Sequence, residues 1–150
     1  MVENPYPGLR QQFLGLNAGV VDAPLRGAAL ELGMLGGSAT VACVADGTTS
    51  LYISSGGGHL GMGEREPVRR ANVAFLAAVG SGLDALAAAV DVPLPGDGEV
   101  NIVAVTAEGL RLLQCAEAEA RDPGSAAYPL YAAGQEVITQ IRIVADELGH

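Results

Sequence analysis

Val68, Phe75, Leu76, Val79, Leu83, Leu86 and Val90 recur at three- and four-residue steps, the period of one helix face, and predict a helix over Val68–Val90. Pro67 suits the first turn of that helix, and Glu64 and Glu66 complement its positive end. Leu130, Ala133, Val137, Ile138, Ile141, Val144 and Leu148 repeat the pattern and predict a closing helix from Pro129 to about Leu148. A shorter helical stretch, Leu9 to Leu16, has Leu9, Phe13 and Leu16 on one face; it follows the stiff, turn-like run Asn4 to Gly8 and stops at Asn17 to Gly19.

Between these helices the pattern becomes extended. Arg26 to Met34, Thr40 to Ala45 and Thr49 to Ser54 read as strands before the middle helix, and Val100 to Thr106 and Leu110 to Ala116 as strands after it. Gly36 and Gly37 turn the first pair. Asp46-Gly47 turns the second, and it predicts a type I′ turn because that dipeptide tolerates positive φ at both central residues. Asp91 to Gly98 and Arg121 to Ser125 are loops rich in Pro, Gly and Asp. The sum is a single α+β domain over residues 1–150, an antiparallel five-stranded sheet with helices packed on it.

Composition adds a partner to this picture. Hydrophobic residues are 49% and charged residues 17% of the chain, more apolar surface than one small core hides, so a homodimer closed by apolar contact is expected. The small-residue flank of the middle helix, Ala71, Ala74, Ala78 and Gly82, is the interface that this reading nominates. The net charge of -9 repels nucleic acid and anionic membrane alike. No apolar run reaches the roughly 18 residues of a membrane span, and the start lacks the form of a signal peptide, so the expected place is the cytoplasm. Cys43 and Cys115 form no Cys-x-x-Cys pair and read as small buried residues, not as a metal or redox site.

The basic residues exclude chemistry more firmly than any motif supports it. All eight are arginine, and without lysine there is no Walker A phosphate loop, no pyridoxal Schiff base and no Schiff-base aldolase. Gly56-Gly57-Gly58-His59-Leu60-Gly61 satisfies G-x-G-x-x-G. A dinucleotide site, however, needs that motif inside a βαβ unit with a parallel sheet, whereas here it leaves an antiparallel hairpin. A weaker version is a backbone nest for a phosphate or carboxylate over Gly56, Gly57, Gly58, His59 and Gly61, with Arg65, Arg69 or Arg70 nearby. His59 is the one internal histidine. Ser54 and Ser55 lie too close to it in one loop to build a nucleophilic triad, and no G-x-S-x-G elbow is present. The aspartates sit in turns and helix ends, where local hydrogen bonding explains them. No catalytic, metal or cofactor residue is assigned.

The order of helix, three strands, helix, two strands and helix, carried by the Asp46-Gly47 hairpin, the small-residue helix, the Val100–Ala116 hairpin and the closing helix, resembles the Roadblock/dynein-light-chain group and the related profilin-like and longin-like domains. That group usually has two strands before the middle helix and three after it. The segment Thr48 to Gly58, with Gly61-Met62-Gly63 and Gln135 to Arg142, is also similar to an uncharacterised bacterial family common in actinobacteria, and no function comes with that likeness. The Roadblock resemblance implies a non-enzymatic, homodimeric interaction or signalling-scaffold domain, with a small GTPase as the implied kind of partner. The alternative is a sensor or enzyme of small molecules or anions built on the loop Ser54 to Gly63.

Overall fold

The computed structural model of the chain describes residues 6–15 and 25–148. Asn4, Pro5, Leu16, the stop at Asn17 to Gly19, Asp22 and His150 lie outside them. Helix α1 is Tyr6–Leu14, so the run read as a turn-like lead-in is already helical at Tyr6, with Pro7 in its first turn. Strands β1 (Leu25–Met34), β2 (Gly37–Val44), β3 (Thr49–Ile53) and β4 (Gly58–His59) precede α2 (Glu66–Ser81). Strands β5 (Ala87–Ala89), β6 (Glu99–Thr106) and β7 (Gly109–Ala116), the short α3 (Glu117–Ala120) and α4 (Tyr128–Glu147) follow it. The sheet order is β4-β3-β2-β1-β6-β7-β5, with every pairing antiparallel.

The sheet therefore has seven strands, not the expected five. Both additions are short edge strands in segments whose composition pointed elsewhere. β4 forms inside the glycine-rich run, where Gly58 pairs with Tyr52 and His59 with Leu51. β5 forms in the alanine-rich tail of what reads as one long helix. That helix ends at Ser81, and Gly82 lies so close to α4 that a Cβ there would sit 2.8 Å from Leu130 Cδ1. Ala87–Ala89 then pair with Leu112, Arg111 and Leu110. Alanine has the best helix propensity, but sheet pairing outweighs it here. Val90, expected on the core stripe, is 99% exposed, while Leu86 is buried as expected.

The hairpin at Asp46-Gly47 also differs in its turn. Only Gly47 has positive φ, at 100°, and no non-glycine residue among those described does. The Gly47 N–H donates to the Val44 carbonyl at 2.9 Å and the Val44 N–H to the Thr48 carbonyl at 2.8 Å. This is a three-residue loop, a type I turn closed by a left-handed glycine, not a type I′ turn. The pairing of β2 with β3 is as expected.

Both faces of the sheet are covered. On one face, Val68, Ala71, Phe75 and Val79 of α2 and Leu130, Val137, Ile138, Ile141 and Val144 of α4 pack on Ala28, Leu30, Val41, Cys43, Leu51 and Ile102. On the other, Tyr6 and Phe13 of α1, with Val92 from the loop before β6, lie on Ala29, Ala42, Tyr52, Val103 and Val105. This double cover explains why Val100 to Thr106 are all buried.

Cys43 lies in the first core, and burial pushes its thiol well above the ordinary range. The folded protein then holds a proton that the unfolded chain releases above about pH 8.5, so stability falls as pH rises past that value. The decline should reach up to about 1.4 kcal/mol per pH unit. Urea unfolding of the wild type and Cys43→Ala at pH 7.5, 9 and 10 measures it; equal slopes in the two proteins would refute this cause.

Candidate functional site

The glycine-rich run is a tight hairpin that closes one sheet edge. The Ile53 N–H donates to the Gly57 carbonyl and the Gly56 N–H to the Ile53 carbonyl, both at 2.8 Å, and the Gly61 N–H donates to Ser50 Oγ at 3.2 Å. Gly58 must be glycine: its φ is 152°, and a Cβ would overlap the Leu51 carbonyl oxygen. Two of the N–H groups that an anion nest would use, those of Gly56 and Gly61, are thus engaged within the chain. His59 is half-buried and Arg65 exposed. Ser54 Oγ accepts the Ser38 N–H at 2.9 Å. The small hollow next to this hairpin, about 200 Å³, is lined by Asp46 and Glu64 as well as Gly61, Gly63 and Arg69, and the Arg69 Nε–H donates to the Gly63 carbonyl. Two carboxylates make it a poor seat for an anion.

A larger concavity lies where α2 meets the β2–β3 turn. It encloses about 550 Å³ and is floored by Leu25, Val73, Leu76, Ala77 and Gly80, with Asp46 and Arg69 on its rim. Asn72, 1% exposed, fixes its shape. The Asn72 Nδ2 group donates to Thr49 Oγ1 at 2.8 Å and to the Thr48 carbonyl at 3.2 Å, which ties the helix to the turn. Thr49 Oγ1 in turn donates to the Gly47 carbonyl at 2.9 Å. Val73 is 61% exposed in this groove.

The third arrangement is polar and buried. Beneath α1, Arg10 and Glu31 form an ion pair with side chains 8% and 2% exposed. The Arg10 Nε–H donates to Glu31 Oε2 at 2.7 Å and Nη2 to Oε1 at 2.9 Å, a two-point fork that charge strengthens. The Arg10 Nη2 group also donates to the Val92 carbonyl at 2.7 Å. Thr40 Oγ1 donates to Glu31 Oε2 at 2.8 Å and Asn101 Nδ2 to Oε1 at 3.1 Å. The hydrogen bond to Glu31 holds the Arg10 guanidinium above its ordinary pKa, against the opposing effect of burial. The Tyr6 hydroxyl lies 2.9 Å from both Ser38 Oγ and Thr40 Oγ1.

Comparison of the chain with family models, with curated proteins and with solved structures found no match. The four nominated interface positions divide: Ala71 is buried in the core that α2 and α4 share, and Gly82 faces Leu130, whereas Ala74 is exposed and Ala78 half-buried. A further open flank of α2 is Val73, Leu76, Ala77 and Gly80, at steps of three, one and three. The signal for it was present as a second apolar stripe; a helix apolar around most of its circumference has more than one face to cover. The Arg10–Glu31 pair left no sequence signal, since 21 positions separate the partners.

Proposed function

We propose that this chain is a non-enzymatic interaction domain that pairs with a second copy of itself through the groove on α2. The observation that carries this reading is the groove itself, about 550 Å³, apolar on its floor and held in shape by buried Asn72. Its rim carries one acid, Asp46, and one base, Arg69. A two-fold interface repeats each contact in reverse. Asp46 of one copy would meet Arg69 of the other, which makes the patch complementary to itself in a chain that is otherwise strongly acidic. A small GTPase, the kind of partner that the Roadblock resemblance implies, would then be bound by the assembled pair in a signalling scaffold.

Light scattering behind size exclusion at low micromolar concentration should give twice the 15.2 kDa chain mass, in low and high salt alike. Val73→Glu should yield the monomer, because the carboxylate would be buried unpaired at the interface. As Val73 is exposed in the single chain, the monomer's own stability should shift by no more than about 0.5 kcal/mol. A wild type that stays monomeric over this range overturns the proposal.

A further inference from the structure

The receptor around Arg10 is built without help from Arg10. Thr40 on β2 and Asn101 on β6 both donate to Glu31 on β1, and Asn101 Nδ2 is itself anchored on the Pro93 carbonyl at 2.8 Å. The Gln114 Nε2 group donates to Asn101 Oδ1 at 3.0 Å. The carboxylate is thus aimed from the centre of the sheet, with both oxygens presented to one planar fork and the Val92 carbonyl beside it. A guanidinium matches that geometry; an ammonium, a compact point charge, does not.

The occupant is held less firmly than the receptor. Helix α1 has nine residues and buries only Tyr6, Arg10 and Phe13, and a helix of that length has little stability of its own. Replacing a buried ion pair by apolar groups is often close to neutral, so the Arg10–Glu31 contact adds specificity more than net stability, whereas an emptied site leaves Glu31 in need of a cation. Nor does α1 fill its face of the sheet. Two concavities, about 280 Å³ and about 110 Å³, remain between α1 and β3, both lined by Leu9 and Tyr52. Tyr52 is only 5% exposed, yet its hydroxyl has no hydrogen-bond partner among the described residues, and its ring meets that of Tyr6 edge to face at 5.6 Å. A buried hydroxyl without a partner is a cost that an added acceptor removes.

We infer that the face beneath α1 is a guanidinium-binding site, filled in this chain by its own Arg10 and able to take the same group from an arginine-bearing peptide or a small guanidinium compound when α1 gives way. The unused Tyr52 hydroxyl would serve an acceptor on that incoming molecule.

Removing the resident group tests this in the full chain. Arg10→Ala should gain about 2–4 °C in melting temperature with methylguanidinium at low millimolar concentration, and nothing with methylammonium. The wild type, where Arg10 competes for Glu31, should show the same discrimination only at concentrations at least about tenfold higher. A peptide spanning residues 6–15 should bind Arg10→Ala, and the same peptide with lysine in place of arginine should bind at least about tenfold more weakly. The first arm reports a small compound, the second an arginine within a chain. Should Arg10→Ala not fold, Arg10→Lys keeps the charge, loses the fork and gives the same readouts. Adding Glu31→Gln to either variant should abolish them. Equal responses to methylguanidinium and methylammonium, no response to either compound or peptide, or a response that survives Glu31→Gln would each overturn the inference.

Discussion

Phe75→Ala is expected to lower the unfolding free energy by about 3–5 kcal/mol, a large share of the stability of a domain this size. Phe75 is fully buried, between Val68 and Val79 on the face of α2 that packs with α4 on the sheet. Truncation removes the transfer energy of the ring and leaves a cavity whose walls, two helices and a sheet, cannot all close in. Val73 stands two positions earlier on the same helix, but 61% exposed, and Val73→Ala should cost no more than about 0.5 kcal/mol. Urea unfolding of the two variants side by side reads the orientation of α2. Similar costs for both would mean that the helix is not docked on the face described.

Gly63→Ala should cost about 3 kcal/mol by a different mechanism. A Cβ at this position would overlap the carbonyl oxygen of Gly47 and come 3.1 Å from Thr49 Oγ1. The obstacle is backbone, so the turn Met62–Glu64 or the β2–β3 hairpin must move. Either movement strains the bonds that define the groove: Arg69 Nε–H to the Gly63 carbonyl, and Asn72 to Thr48 and Thr49. If the groove is the self-association surface, this variant should also weaken the dimer, although no groove-floor side chain is altered. A fully stable, fully dimeric Gly63→Ala would show that the close approach of Gly63 to Gly47 is not a fixed feature of the site.

The sequence by itself determined the long elements and the class. Short apolar runs bounded by glycine and Asp-Gly turns located β1, β2, β3, β6 and β7 and their antiparallel layout, and period-3.6 patterns located both long helices, because such patterns reflect which sides of an element meet the core. Local turn chemistry placed the Asp46-Gly47 reversal but not its type. Type I′ and a type I turn with a left-handed glycine accept the same dipeptide, and loop length chooses between them. What only the tertiary structure decided depends on contacts between segments far apart in the chain. The alanine run Ala87–Ala89 became a strand because β7 offered it free hydrogen-bonding groups, and α2 ended at Ser81 where Gly82 meets Leu130 of α4. Of the small-residue positions on α2, Ala71 was taken up by packing with α4, and the flank toward the β2–β3 turn stayed open. The Arg10–Glu31 pair lies furthest from any sequence signal: its value comes from Thr40, Asn101 and Val92 converging on one carboxylate, and that convergence exists only once three strands and a loop are folded against one another.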